Sequence, residues 1–414
     1  MTSKIKARLS QIRHAPTFAM ILYCIYLVWK ISQSTLLAFI TDGLPNTIIH
    51  FLILALLTIG DVYTHRDQYF RRPFDRKLIP VICFFILGCI VWIVSGRVEI
   101  IDLVILVWCC RNVDFKKIAI TTIGIISIFS LIVVALSLFG VINDYVWDPG
   151  TRNRHGFGFL YCTTLSHLFL TISLLWIFLR RGALMLVEIL GILAIDILIF
   201  IFTDAKNSFI LVILALALWF FLRVSKDRFA TKKVLSISGA WIFPILAILS
   251  LICFLAFNPS SEFWNIVNHA LANRLAQTQA TLFTYGVLPF GQEIELVGNW
   301  LTPEGVMEIS TGSFDTNFVD NSYMHILIYM GWVALAAVIF ALFRLGKWAA
   351  NTNNKYLALC LCVIALHAVL DTQLIEPVYN TFLFLIPCLL AQETPLTSWQ
   401  KPLWEPILLK EKST

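Results

Sequence analysis

The chain has 414 residues, 59% hydrophobic and only 14% charged, with 32 Phe and 13 Trp. That composition excludes a soluble domain built on one core and points to a polytopic membrane protein. The formal charge of +6 is accounted for by loops facing an anionic leaflet, so it does not argue for nucleic acid.

A membrane span needs about 20 mostly apolar residues. Twelve runs qualify in chain order: 17–40, 44–63, 78–95, 99–110, 118–140, 157–179, 183–202, 208–224, 234–257, 322–343, 356–372 and 379–391. The fourth and twelfth are short. The runs are continuous and lack the alternation of barrel strands, so they read as helices, whose backbone satisfies its own hydrogen bonds in lipid. The first run contains Lys30 and no small-residue cleavage site follows it, so no removable leader is expected. All ten Cys lie in or beside the runs, which argues against a disulfide framework. Cys360 and Cys362, two apart on a helix, point to different faces and do not suggest a metal site.

Of the 31 Lys and Arg, 25 fall in one alternate set of loops: 4–13, 66–77, 111–117, 180–181, 223–233, 344–355 and 401–412. Positive charge marks the cytoplasmic side, so twelve spans place both termini in the cytoplasm. Lys30 lies inside a run. Five cations remain for the opposite loops: Arg97, Arg152, Arg154, Lys206 and Arg274.

The outer loops differ among themselves. Segments 41–43, 96–98 and 203–207 are tight turns, and 141–156 is intermediate. Segment 258–321 is long, and loops of that length are functional or disordered. Its aromatic and apolar content excludes disorder. From Phe263 to Phe283 the pattern predicts an amphipathic helix on the membrane surface. GVLPFGQEIELVGNW then reads as irregular or hairpin-like. The chain therefore divides into a membrane bundle (1–257), a large extracytoplasmic loop (258–321), C-terminal spans (322–391) and a cytoplasmic tail (392–414).

Arg152, Arg154 and His155 sit together at the entrance of the sixth run. Guanidinium forks bind phosphate in a planar geometry at any working pH, and residues two apart in an extended loop share a face. The simpler reading is contact with headgroups or pairing with Asp144 and Asp148. Lys206 and Asn207 occupy the minimal turn TDAKNS, where Lys206 either snorkels or pairs with Asp204. Arg274 lies on the expected surface helix, whose solvated face would account for it. Asp320, Asn321, Ser322, Tyr323 and His325 open the tenth run. Asp, Asn and Ser are favoured N-caps, yet an Asp, an Asn, a Tyr and a His at a helix start can also deprotonate a hydroxyl and orient a sugar. His367 and Asp371 are four apart near the end of the eleventh run, followed by Glu376 and Asn380. They read equally as a polar pair between helices. Lys30 and Glu188 are near-membrane charges without an evident partner. Arg97 stays unassigned beside Glu99, and Trp147, Trp264 and Trp300 read as an interfacial aromatic belt. No P-loop, dinucleotide fingerprint, HExxH or GxSxG occurs, which argues against a nucleotide-driven pump and a zinc protease.

RHGFGF (Arg154–Phe159), TDAKNS, Asn273-Arg274-Leu275 with YGVLPFGQ, VDNSYMHILIYMGW and LIEPVYNTFLF occur in that order. In this order and loop placement the chain resembles the Wzy-type bacterial polysaccharide polymerases, relatives of the O-antigen ligases, over residues 20–390. The resemblance implies an all-α polytopic fold of about twelve transmembrane helices with one large extracytoplasmic loop and a GT-C-like architecture. It implies a metal-independent glycosyltransferase of the plasma membrane, without cofactor. The substrate would be undecaprenyl-diphosphate-linked oligosaccharide, with membrane lipids around it and a flippase and a chain-length regulator as partners. By position, Arg152, Arg154 and Arg274 would hold the diphosphate, with Asp320 or His325 as base. His155, Lys206, Asn207, Asn321, Tyr323, Glu376 and Asn380 would contact diphosphate or glycan. The ligases have His-Asn where this chain has Asp320-Asn321, which leaves the base open between Asp320 and His325. A ligase would share nearly all of this site. A lipid-linked oligosaccharide flippase is the alternative from another class, although the two halves of the chain lack the repeat expected of transporters.

Overall fold

The computed structural model describes residues 2–37, 44–70, 78–147, 152–224, 229–296, 299–301, 307–309 and 317–389. The expected turn at 41–43, residues Asp148–Gly150, parts of two basic loops (71–77 and 225–228), much of the polar run before Asn317 and the 392–414 tail lie outside them. So does the side chain of Trp300.

In chain order the first helices are α1 (Thr2–Ser32), α2 (Leu44–Thr64), α3 (Arg66–Phe70), α4 (Leu78–Ser95), α5 (Glu99–Cys109), α6 (Phe115–Leu138), α7 (Thr164–Arg180), α8 (Leu186–Thr203) and α9 (Lys206–Val224). They continue as α10 (Phe229–Ala256), α11 (Glu262–Ala270), α12 (Arg274–Tyr285), α13 (Ser322–His325), α14 (Trp332–Asn351) and α15 (Lys355–His367). Two small antiparallel hairpins interrupt them, β1 (Val146–Trp147) with β2 (Arg154–His155), and β3 (Asn299–Leu301) with β4 (Met307–Ile309). Among the described residues eight helices are long and apolar enough to cross a membrane. The protein is an all-α polytopic membrane protein on that ground.

The other expected spans are shorter. Thr17–Ser32 and Lys355–His367 are apolar helices below the spanning length, and α5 has 11 residues. The twelfth run is not an α-helix. It forms a 3-10 turn at Thr381–Leu389 with Pro387 inside, where proline supplies no backbone donor. The tenth run is divided. α13 and a π-helical turn, Ile326–Met330, precede Gly331 (φ 91°), and the spanning helix is α14.

Two compact units emerge. Unit 1 comprises Met1–Cys83, Asp102–Lys226 and Pro377–Thr414; unit 2 comprises Phe84–Ile101 and Asp227–Glu376. The boundaries expected at 257/258 and 321/322 both fall inside unit 2.

In unit 1 the environment of each helix follows its composition. α7 carries Ser166, His167, Thr171 and Ser173, and it is the most enclosed span, 72% buried. α8, among the more apolar spans, is only 11% buried and shows Leu190, Ile197, Leu198 and Ile201 outward. Polar residues are tolerated where protein replaces lipid as the surroundings. The core holds an aromatic cluster of Phe115, Phe178 and Phe382, with ring centroids 5.4–5.8 Å apart. Tyr23, fully buried, bonds Thr122 at 2.8 Å.

In unit 2, α10 packs on α14 and α15 through small residues. A Cβ added at Gly346 would lie 1.8 Å from the Gly239 carbonyl oxygen, so these backbones touch. The segment after α12 is irregular up to residue 296, and a hairpin (β3 and β4) follows it, as expected. The single surface helix expected at 263–283 is instead two, α11 and α12. Ala272 (φ 54°) and Asn273 (φ 63°) break it in the left-handed region, which side chains other than glycine adopt at a cost. Asn268 spans the break: its Nδ2 donates to Asn273 Oδ1 (3.2 Å) and its Oδ1 accepts from Ala276 N (3.1 Å). Arg274 thereby becomes the first residue of α12.

Candidate functional site

Unit 1 gathers the first cationic cluster on the turn between α8 and α9. α8 ends at Asp204 in the left-handed conformation (φ 45°), whose N–H donates to Phe200 O. Arg152 grips this turn with Nε donating to Asp204 Oδ2 at 2.6 Å and Nη2 to the same carboxylate. Arg154, on β2, donates Nε to Thr203 O at 3.0 Å. Its other guanidinium N–H groups have no partner among the described residues, and neither does the exposed Lys206 ammonium. The two arginines thus converge on Thr203–Asp204, and Asp204 pairs with Arg152. His155 Nδ1 meets Asp144 Oδ2 at 2.6 Å, while Phe157 N donates to Asp144 Oδ1 at 2.7 Å. Asp144 therefore clamps the hairpin, and His155 is engaged in that clamp. Asn207, in the first turn of α9, has a buried Nδ2 without a partner among the described residues.

Unit 2 holds the second cluster. Arg274 Nε lies 3.0 Å from Asp320 Oδ2, and its Nη1 donates to Leu370 O at 2.6 Å. Asn321, 2% exposed, is the N-cap of α13: its Oδ1 accepts from Met324 N at 3.0 Å. Its Nδ2 donates to Val369 O at 2.8 Å and Ser250 Oγ at 3.1 Å. Ser322 N donates to Ala368 O at 2.8 Å. Residues 320–322 are thus locked against the chain that follows α15. Behind the ion pair is a cleft of about 160 Å³ walled by Leu246, Leu249, Phe254, Trp264, Val267 and Leu271, with Arg274, Asp320 and Asn321 at its polar side.

Tyr323 is fully buried and its hydroxyl donates to Ala365 O at 2.9 Å, which makes it a core residue. His325 keeps some solvent contact, but its Nδ1 is covered and without a partner among the described residues. It precedes the spanning helix. Burial, with Arg97 adding to it, pushes its imidazole down to about 3, so the ring is uncharged at any working pH. His367 Nε2 and Asp371 Oδ2 stand 3.6 Å apart. Glu376 belongs to unit 2, whereas Asn380, 1% exposed, belongs to unit 1.

Three groups were invisible to pattern reading. Arg97 stacks on Tyr329, 5.0 Å from the ring centroid; its signal was its place among the outer cations. Glu188 has a partner in Arg180, 2% exposed and bonded through Nε at 2.7 Å and Nη2 at 3.1 Å. Asp102, buried, meets His50 Nε2 at 2.9 Å and accepts from Tyr26 at 3.2 Å; a charge inside a short apolar run was the available clue. The chain matches no family model, no curated protein and no solved structure.

Proposed function

We propose that this protein is a polysaccharide polymerase of the Wzy type. It would join repeat units carried on undecaprenyl diphosphate at the outer face of the plasma membrane. The observation that carries the reading is the unit 2 cleft, apolar along its walls and closed at its polar side by the exposed Arg274–Asp320 pair. Such a shape suits an amphiphile with a long hydrocarbon chain and an anionic head. The order of the outer-loop motifs supports the same reading.

The chemistry follows from charge. The hydroxyl oxygen of the incoming unit bonds to the anomeric carbon of the growing chain, and the bond from that carbon to the diphosphate oxygen breaks. Undecaprenyl diphosphate leaves with its electron pair. In this reading the arriving diphosphate takes Asp320's place on Arg274, and the freed carboxylate accepts the hydroxyl proton. Asp320 is preferred to His325 as base because the imidazole is too weakly basic. Negative charge grows on the leaving diphosphate, so a fixed guanidinium stabilises the transition state more than the ground state. Arg152, Arg154 and Lys206 offer a second set of phosphate-binding groups, in unit 1.

The test is to incubate the purified protein, in lipid nanodiscs, with a lipid-linked repeat unit and to resolve the products on a gel. A ladder is the expected result. A single transfer to another acceptor would make the protein a ligase. Movement of the unit across a vesicle bilayer without turnover would make it a flippase.

A further inference from the structure

One cation of unit 2 has no part in that chemistry. Arg97 stands on the turn between α4 and α5, with its guanidinium carbon 5.0 Å from the Tyr329 ring centroid. Glu99 is 3.9 Å away, beyond hydrogen-bond contact. Tyr329 is fully buried. Its ring also lies 4.5 Å from that of His325, and its hydroxyl donates to Asn317 O. So Arg97, Tyr329 and His325 form a chain of contacts reaching the segment that begins at Asp320.

The backbone there is unusual. Tyr329 belongs to the π-helical turn Ile326–Met330, a geometry that is rare and recurs at functional sites. The turn is held from its far side by the loop after α12. Trp332 N and Val333 N donate to Leu288 O and Pro289 O at 3.2 and 3.1 Å. A Cβ at Gly331 would lie 2.3 Å from Pro289 O, so no other residue fits without displacement. Arg97 supplies the side-chain contact on Tyr329.

We propose that Arg97 is a positioning residue: through Tyr329 it fixes the π turn, and its charge keeps the His325 imidazole neutral near Asp320. The groups that bear on this pair are Arg97 itself, Asp320 and Tyr285, which act on Tyr329, and Glu99, which faces Arg97. A charged His325 would compete with Arg274 for Asp320, and the carboxylate would be lost as a proton acceptor. The geometry stands independently of the polymerase reading; only the consequence for turnover rests on it.

Two measurements test the proposal. The first is 15N-histidine NMR of the full chain in nanodiscs, with the His325 signal assigned by His325→Gln. In the wild type that signal stays unprotonated between pH 5 and about 8, the ordinary histidine range. R97E brings its titration into that window, R97Q moves it part of the way, and R97K leaves it as in the wild type. A His325 that titrates normally in the wild type, or is unmoved in R97E, overturns the proposal. The second is turnover. R97E loses about tenfold in kcat at low pH, with KM unchanged, and recovers as pH rises, because the loss tracks imidazole protonation. R97K matches the wild type. An equal loss at every pH means a merely structural role and overturns the proposal. Should the wild type make no polymer, the polymerase reading fails, while the NMR titration still decides the role of Arg97.

Discussion

Replacing Arg274 by Ala removes two contacts, the 3.0 Å approach to Asp320 and the 2.6 Å bond to Leu370 O. The side chains of the pair are 29% and 38% exposed, and an ion pair so open to solvent contributes about 0–1 kcal/mol after screening. With the charge-assisted bond to the carbonyl, itself partly solvated, the stability loss is about 1–2 kcal/mol. The barrier should rise by more. Removing one donor aimed at developing negative charge costs about 3 kcal/mol, which is about 10²-fold in rate. The assay pairs the initial rate of ladder formation with thermal unfolding in the same detergent. R274A is expected to fold and to polymerise about 10²-fold more slowly. R274K, which keeps the charge without the planar fork, recovers part of the rate. Retention of the rate within about twofold, or a loss no larger than the unfolded fraction, would refute the assignment of Arg274 to the leaving group.

Other expectations are simpler to state. Arg152→Ala and Arg154→Ala each abolish polymer and leave the protein folded; unchanged polymer length in cells carrying both substitutions removes these arginines from the mechanism. Glu188→Gln leaves the Arg180 guanidinium, 2% exposed, without its counter-charge. Denaturation in detergent should then show a loss of about 3 kcal/mol, and an unchanged midpoint would mean that the pair is idle. Gly346→Leu forces α10 and α14 apart, because even a Cβ there lies 1.8 Å from Gly239 O. A drop of about 2–3 kcal/mol or more is expected, and wild-type stability would contradict the described contact. Asn321→Ala removes the cap on α13 and the amide donors to Val369 O and Ser250 Oγ. It should cost about 1–2 kcal/mol, measurable as a lowered melting point, with no loss at all as the contrary result.

Much of this was legible in the sequence because lipid imposes a strong pattern. Runs of apolar residues announced α2, α4, α6 and α8 within a few residues, and TDAKNS was recognisable as the turn between α8 and α9. The N-cap at Asn321 followed from residue type alone. The division of the tenth run did not, because Ile326–Met330 is as apolar as a span and only Gly331 marks the change. The break at Ala272–Asn273 was hidden for a related reason: helical periodicity runs on either side, and alanine gives no sign of a left-handed backbone. Side-chain partners were the least legible. Arg152 finds Asp204 some fifty residues away, and Glu188 finds Arg180 across a tight turn. Pairing depends on which helices become neighbours, and local pattern does not carry that information. Arg97 is the clearest case, since nothing near it in sequence names Tyr329.

The loop that carries Arg154 is stitched at both ends to distant chain. Leu36 N donates to Gly158 O and Leu160 N to Ser34 O, each at 2.9 Å, while Arg154 itself rests on Thr203 O. Those anchors are made at very different moments of synthesis. The end of α1 emerges from the ribosome long before the loop, and Thr203 emerges well after it. The arginine segment therefore cannot reach its final form until α8 has been threaded into the bilayer. A chain arrested just after α7 would display both arginines without the turn that orders them. Maturation of this surface is a late event in biogenesis, set by insertion of α8.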